Sequence, residues 1–486
     1  MGLQIPAKLV QAHLHSAASG HPRWSRWSYA PDAAVLSLRC DPVTRLTTLR
    51  SCARILREWA DPLEALSWLS AHLGISATLP RREIWPRPDD LARSSASGFV
   101  GSALAEAVFA GQPPGSTKAD PTKNALGHLV SPPFAGGWIG WLSYDLGRLF
   151  EELPTTARND LNLPLFEFTF HPSGTAFDGL TGRSFRFEIA NPQDDGPIET
   201  VDHACERDRD FVSNFSAAEY ERAVARAIEY IRAGDVFQVN LSQRFTGSVR
   251  TSAAAIYRRL ALNSPAWFGA YYAGADYALV SNSPELFLDV SPDPSSGQRH
   301  IITRPIKGTR PNIAGMDREL RDSIKDQVEL NMIVDLERND LGRICQIGTV
   351  KVTEPRAIEE HPTVYHGAAT IEGALRDDVT FIDLLRATFP GGSVTGAPKI
   401  RAMQIIEELE PVRRGPYCGA IGFLSVTGHI QFNLAIRTMV MKDGLIHVPV
   451  GGGIVADSDP AEEYRETLVK ARAMFAALGV DYSPSC

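Results

Sequence analysis

Residues 446–471 read IHVPVGGGIVADSDPAEEYRETLVKA. A strand pattern here runs into three glycines, a polar turn and a helix, so strands and helices follow each other along the chain. Gly451, Gly452 and Gly453 carry no side chains and let a ligand approach the backbone. On the helix that follows, Glu463, Glu466 and Lys470 are spaced three and four apart and share a face. An ordinary Glu466–Lys470 surface pair explains that spacing. So does a hard-cation site, because Mg2+ is held by one or two carboxylates together with oxygens of its substrate.

Upstream, residues 304–310 read RPIKGTR. Cations this close raise the free energy of each other's protonated forms, which makes Lys307 a candidate for an amine kept partly neutral and therefore nucleophilic. A solvated basic turn is the plain alternative. The pattern then predicts one long helix over residues 317–343, with Leu320, Ile324 and Val328 on its buried stripe and Glu329 bordering it. Asp335, Glu337, Arg338 and Asp340 read as cap and salt-bridge partners near its end.

Three further stretches carry polar residues in strand-like surroundings. In 237–245, FQVNLSQRF, Val239 and Leu241 share one face, while Gln238, Asn240 and Ser242 share the other and meet a cavity or solvent. In 281–290, SNSPELFLDV, Glu285 enters an apolar run and is either at a sheet edge in water or desolvated, as a general acid requires. In 430–440, IQFNLAIRTMV, a strand would put Phe432, Leu434 and Ile436 on one face and Arg437 on the opposite one. Residues 389–401, FPGGSVTGAPKIR, fail as a phosphate loop because Ala397 and Pro398, not Lys and Ser, follow Gly396. They read as a Gly-rich turn entering a helix with Pro398 in its first turn, and with Ile400, Met403, Ile406 and Leu409 on or near its buried side.

The chain has 486 residues, room for two or three domains. Its 44% hydrophobic and 22% charged residues are those of a soluble globular protein. A net charge of -8 argues against a nucleic-acid binder. The six cysteines form no CxxC pair and no zinc spacing, and read as reduced thiols. No apolar run approaches a membrane span and the start lacks a signal-peptide core, so a cytoplasmic protein is expected. Residues 134–151 interleave Trp138, Ile139, Trp141 and Leu142 with glycines, a strand packing on another sheet. The segment 111–133 is the longest loop of the first part. A polar stretch over 191–210 marks a boundary, and Ser216 with Glu219 forms a capping box, Phe215 stapling onto Tyr220, at the next helix start.

Taken in order, QVNLSQ, SPELFL, PIKGT, IVDLERNDLGR, GGSVTGAPK, FNLAIRTMV and GGGIVADSDPAEEYRET resemble the chorismate-utilising enzymes of the anthranilate synthase component I family. The aminodeoxychorismate synthase branch is the most similar. The resemblance implies an α+β fold of packed antiparallel β-sheets surrounded by helices. It divides the chain into an N-terminal domain over 1–190, a linker over 191–213 and a chorismate-binding catalytic domain over 214–480. It implies addition of ammonia to chorismate, giving 4-amino-4-deoxychorismate for para-aminobenzoate and folate synthesis.

In that scheme Glu329 and Glu466 bind Mg2+, with Glu463 as a nearby third carboxylate, and Glu285 protonates the departing 4-hydroxyl. Lys307 attacks ring C2, and ammonia then enters at C4 and expels it. Gln238, Gly308, Thr309, Thr395, Tyr417, Arg437, Gly451, Gly452, Gly453 and Lys470 surround the substrate. Relatives that add water carry a lysine at the position of Gln238; anthranilate synthases usually have a small residue at that of Lys307. The chain departs from the family at 366–369, His-Gly-Ala-Ala, where His-Leu-Val-Ser is common. It lacks the Leu-Leu-Glu-Ser tract of tryptophan-inhibited members, and no cysteine sits in a glutaminase elbow. A separate glutamine amidotransferase subunit and a downstream lyase are therefore the expected partners, with no nucleic acid and no membrane. Anthranilate synthase, and a catalytically inactive chorismate-binding or regulatory subunit, remain as alternatives.

Overall fold

The computed structural model describes residues 12–15, 26–52, 55–73, 132–189, 202–361 and 364–481. Most of the loop expected over 111–133 and the first part of the expected linker, 191–201, lie outside the described residues. The remainder of that linker supplies two short strands, Ala204–Cys205 and Arg209–Ser213.

The fold is α+β, built among the described residues on two large antiparallel sheets of eleven and twelve strands, with a two-stranded one beside them. The first runs from Arg209–Ser213 through Gln238–Ser248, Leu445–Ile454, Thr438–Lys442, Tyr277–Ser283 and Phe268–Ala273 to Ala12–His15 and the strands beyond it. The second runs from Ile306–Pro311 through Val364–Ala374, Arg299–Arg304, Leu286–Pro292, Ile430–Leu434 and Ala420–Ser425 to Gly137–Leu142 and its neighbours. The two halves of the chain thus do not each own a sheet. They share both, joined where Ala12–His15 pairs with Phe268–Ala273 and where Gly137–Leu142 pairs with Ala420–Ser425.

The period-two alternation of a strand explains how one short segment serves two cores. Ile139 and Trp141 join Ile421 and Phe423 against Tyr272, Tyr277, Leu279 and Val440 of the other sheet. Trp138 and Leu142 point the opposite way, into a core shared with the helices Pro62–Ala71 and Phe381–Thr388. The far side of the first sheet is covered by Ala253–Asn263 and Pro460–Leu478. The helix Ala217–Arg232 starts at the expected capping box, with the Phe215 and Tyr220 rings 5.7 Å apart.

Three local expectations are corrected. The long helix is two, Met316–Asp322 and Ile324–Gly342, because Ser323 ends the first and caps the second. That break resets the helical phase, leaving Ile324 and Val328 exposed and burying Leu330, Ile333, Val334 and Leu341 instead. Residues 430–440 are not one strand: Ile430–Leu434 belongs to the second sheet and Thr438–Lys442 to the first. Pro398 is the N-cap of Lys399–Leu409 and Ile400 faces outward, while Ala402, Met403, Ile405 and Ile406 are buried. The five described cysteines are all free. Among the described residues no helix is long and apolar enough to cross a membrane.

Candidate functional site

Two of the places where the chain passes from one sheet to the other are neighbours, and each of these two crossings carries a charged side chain. Glu285 lies between Tyr277–Ser283 and Leu286–Pro292, and Arg437 between Ile430–Leu434 and Thr438–Lys442. The crossings are tied together by the Leu434 amide, which donates to the Glu285 carbonyl at 3.0 Å. Arg437 turns the chain with a left-handed φ of 49°. A non-glycine residue held there is strained, and the paired strands on either side hold it.

Glu285 is 5% exposed, so the desolvated alternative is the one realised. Burial pushes its carboxyl up to about 7, opposed by the Ser393 hydroxyl, which donates to Oε1 at 2.6 Å, and by the Lys307 and Arg437 charges. A carboxyl with that proton affinity is a competent acid at neutral pH. Burial also pulls the Arg437 guanidinium down to about 10.

Lys307 lies on the edge strand Ile306–Pro311. Although the residue keeps some exposed surface, the protein crowding its amine makes burial the main cause of a lowered proton affinity. Glu329 opposes that effect and Lys470 adds to it. The flanking arginines are not the cause expected from the sequence. Arg304 pairs with Glu359, and Arg310 with Glu319 and Asp326 at 2.8 and 2.9 Å. Next to Lys307 Nζ lies the fully buried amide of Gln238, on the polar face of its strand. Neither its nitrogen nor its oxygen has a hydrogen-bond partner among the described residues. An unsatisfied buried amide is costly and marks a place where a polar ligand group would be welcome.

The glycine run supplies the floor. A Cβ on Gly453 would stand 2.8 Å from Gln238 Nε2 and 3.2 Å from Lys307 Nζ. One on Gly452 would stand 3.3 Å from Glu463 Oε2, 3.6 Å from Lys470 Nζ and 3.7 Å from Glu466 Oε1. Lys470 ties the helix to the floor, donating to the Gly451 carbonyl at 2.9 Å and pairing with Glu466 at 2.6 Å. The ordinary Glu466–Lys470 pair is thus present. The Lys470 charge lowers Glu466, whereas burial raises Glu463 and Glu329, each raised further by the Glu466 charge.

Oxygen donors that repel one another suit a divalent hard cation. Glu329 and Glu466, with Glu463 beside them, fit Mg2+ by donor type and charge. No group of three or more His, Cys, Asp or Glu side chains among the described residues is already gathered as a metal cluster.

Around this centre, Gly308 adopts a φ of 81° and packs against Leu320 and Asp326, leaving no room for a side chain. Thr309 Oγ1 lies 2.9 Å from His366 Nδ1, and Arg437 Nη2 3.4 Å from His366 Nε2. Because an arginine can only donate, Nε2 accepts and Nδ1 carries the proton. Burial and the Arg437 charge keep this imidazole neutral. Thr395 is fully buried and donates to the Gly391 carbonyl at 2.9 Å, bracing the loop that carries Ser393. Tyr417 is buried beside Cys418 and Arg414.

Three features escaped the sequence reading. Ser393, in the Gly-rich turn, is the hydrogen-bond partner of Glu285. Arg414 forms a buried ion pair with Glu410 at 2.6 Å and donates to the Val394 and Asn240 carbonyls, locking the Ser393 loop to the Gln238 strand. Glu337 is not a surface ion-pair partner: it is buried and accepts from Thr303 Oγ1 at 2.9 Å. A signal for it existed, because Glu329, Ile333, Glu337 and Leu341 recur every four residues on one helix face. Asp340 and Asp335 do pair as expected, with Lys399 and Arg338.

Residues 98–476 match the family described as chorismate binding enzyme. Among curated relatives, anthranilate synthase component 1 of Thermus thermophilus is 42% identical over 72% of this chain and 79% of its own. Aminodeoxychorismate synthase component 1 of Klebsiella aerogenes is 39% identical over 70% of this chain and 76% of its own. The crystal structure of anthranilate synthase component I from Streptococcus pneumoniae superposes with a TM-score of 0.69 at 28% identity, covering 92% of each chain.

Proposed function

Because this chain belongs to the chorismate-binding enzyme family, we propose that it aminates chorismate at C4, as an aminodeoxychorismate synthase large subunit. The observation that carries this reading is the Lys307 amine, crowded by protein and set beside the unpartnered Gln238 amide. A neutral amine can form a bond to ring C2 while both conjugated ring double bonds shift and the C4–O bond breaks. Glu285 gives its proton to the departing oxygen, which leaves as water. Ammonia then bonds to C4, both double bonds shift back, and the C2–N bond breaks to return the lysine. The incoming nitrogen gives up a proton that restores the Glu285 carboxyl, leaving 4-amino-4-deoxychorismate with its pyruvyl ether intact.

Gln238 suits this chemistry because a neutral amide orients ammonia without having to activate water, and its two unmet hydrogen-bonding atoms are free to do so. Arg437, Lys470 and the Gly451–Gly453 floor supply the local positive charge and close approach that a dianion needs within an acidic chain. Glu329 and Glu466 would hold Mg2+, which when bound neutralises a substrate carboxylate. Ammonia would come from a separate glutaminase subunit, and a lyase would act on the product.

The second reading, anthranilate synthase, is supported by the Thermus relative and the Streptococcus structure. Purified chain incubated with chorismate, Mg2+ and an ammonium salt is expected to form 4-amino-4-deoxychorismate, separated by chromatography and identified by mass. Fluorescent anthranilate formed without any added lyase would overturn the proposal. Absence of turnover would point to a binding or regulatory subunit.

A further inference from the structure

One buried carboxyl has no part in that reaction. Glu337 lies two turns after Glu329 on the helix Ile324–Gly342 and is bound to Thr303. Its stem packs on the turn that holds Glu285: a Cβ on Gly392 would stand 3.5 Å from Glu337 Cγ, and the next residue, Ser393, donates to Glu285. Thr303 reaches the same place from the other side. It precedes Arg304, whose strand partner is Leu286, the residue after Glu285. Two buried carboxyls, one on a helix and one at a sheet crossing, therefore pack against the same turn, Glu337 accepting from the Thr303 hydroxyl and Glu285 from the Ser393 hydroxyl and the Ile306 amide.

Among the described residues, the cations that face the two carboxyls are different ones. Glu337 faces Glu285, Asp340 and Lys399, and Lys399 is already bound to Asp340 at 2.7 Å and to the Thr388 carbonyl at 2.9 Å. Glu285 faces Lys307, Arg437 and the Ile306 amide. Burial leads in holding Glu337 up to about 8, and the Glu285 charge raises it further.

We propose that Glu337 is a positioning residue that shares protons with Glu285 as a coupled pair, so that Glu285 keeps its proton at higher pH than it would alone. Two buried carboxylates packed against one turn repel, so once the first proton leaves, the second is retained strongly and is distributed over both groups. Part of the singly ionised enzyme then still carries a protonated Glu285. The inference rests on the reading of Glu285 as the general acid.

Infrared difference titration of the free enzyme reads the buried carboxylic acids without activity. In Glu337→Gln, which keeps an acceptor for Thr303, the remaining Glu285 band should titrate in one step. Its midpoint should fall roughly one pH unit or more below the last step of the wild type. The volume-conserving Glu337→Met should shift it in the same direction, covering the case in which one variant folds poorly. In turnover, the alkaline limb of kcat/KM should move down by a similar amount. A Glu285 midpoint unchanged in both variants overturns the inference. Failure of the underlying reading looks different: Glu285→Gln would retain amination while the infrared coupling persists.

Discussion

Gln238 and Lys307 converge on Gly453, where a side chain would stand 2.8 Å from the amide nitrogen and 3.2 Å from the amine. Both crowding atoms are ends of flexible side chains, so Gly453→Ala should displace them while sparing the fold. We expect kcat/KM to fall roughly tenfold to a hundredfold, with Tm changed by only about 2 °C. Gly451→Ala should behave in the opposite way. Its Cβ would stand 2.6 Å from the Leu241 carbonyl in the paired strand, and moving backbone costs about 1–3 kcal/mol. Thermal melts and steady-state kinetics of the two variants check the contrast, and equal effects on Tm would refute it.

Lys307→Ala should remove most aminodeoxychorismate formation or redirect amination to C2. Since the amine must be unprotonated, wild-type activity should rise with pH through its lowered proton affinity. Arg310→Ala should leave that acidic limb in place, because Arg310 is committed to Glu319 and Asp326. Product analysis and pH profiles test both. Unchanged rate and product in Lys307→Ala would exclude the nucleophile.

Ser393→Ala removes the hydroxyl that favours the ionised form of Glu285. The sign follows directly: losing it makes Glu285 hold its proton more tightly. A reaction needing that proton should then keep its rate to higher pH, its alkaline limb moving up by roughly half to one unit. A downward movement in the measured kcat/KM profile would contradict the assignment.

Arg414→Met leaves Glu410 buried without its counter-charge. The cost should be about 3–5 kcal/mol in denaturant unfolding, and replacing Glu410 as well should recover part of it. If the single and double variants were equally unstable, the ion pair would not be the cause.

Much of the scaffold was legible in local pattern. The capping box at Ser216, the alternation of Gly137–Leu142 and the acidic face of the last helix follow from neighbours a few residues apart, where helical and strand periods operate. Glu285 was legible as a question, a carboxylate in an apolar run, but not as an answer. The break at Ser323 leaves no local trace, because a serine that caps one helix and ends another looks like any polar helix residue.

The sequence by itself determined which residues could do chemistry: a lysine between two arginines, carboxylates at helical spacing, and an arginine in an apolar segment. It also carried the order of motifs that identifies the family. Tertiary structure alone decided that 430–440 leaves one sheet for the other at Arg437, beside the crossing at Glu285. It also decided that Arg304 and Arg310 are committed to Glu359, Glu319 and Asp326, and that Glu337 packs against the turn carrying Ser393. Local pattern records whether a side chain is polar and which face it takes. Only packing sets what surrounds it, and burial and neighbouring charge are what fix the proton affinities on which this site depends.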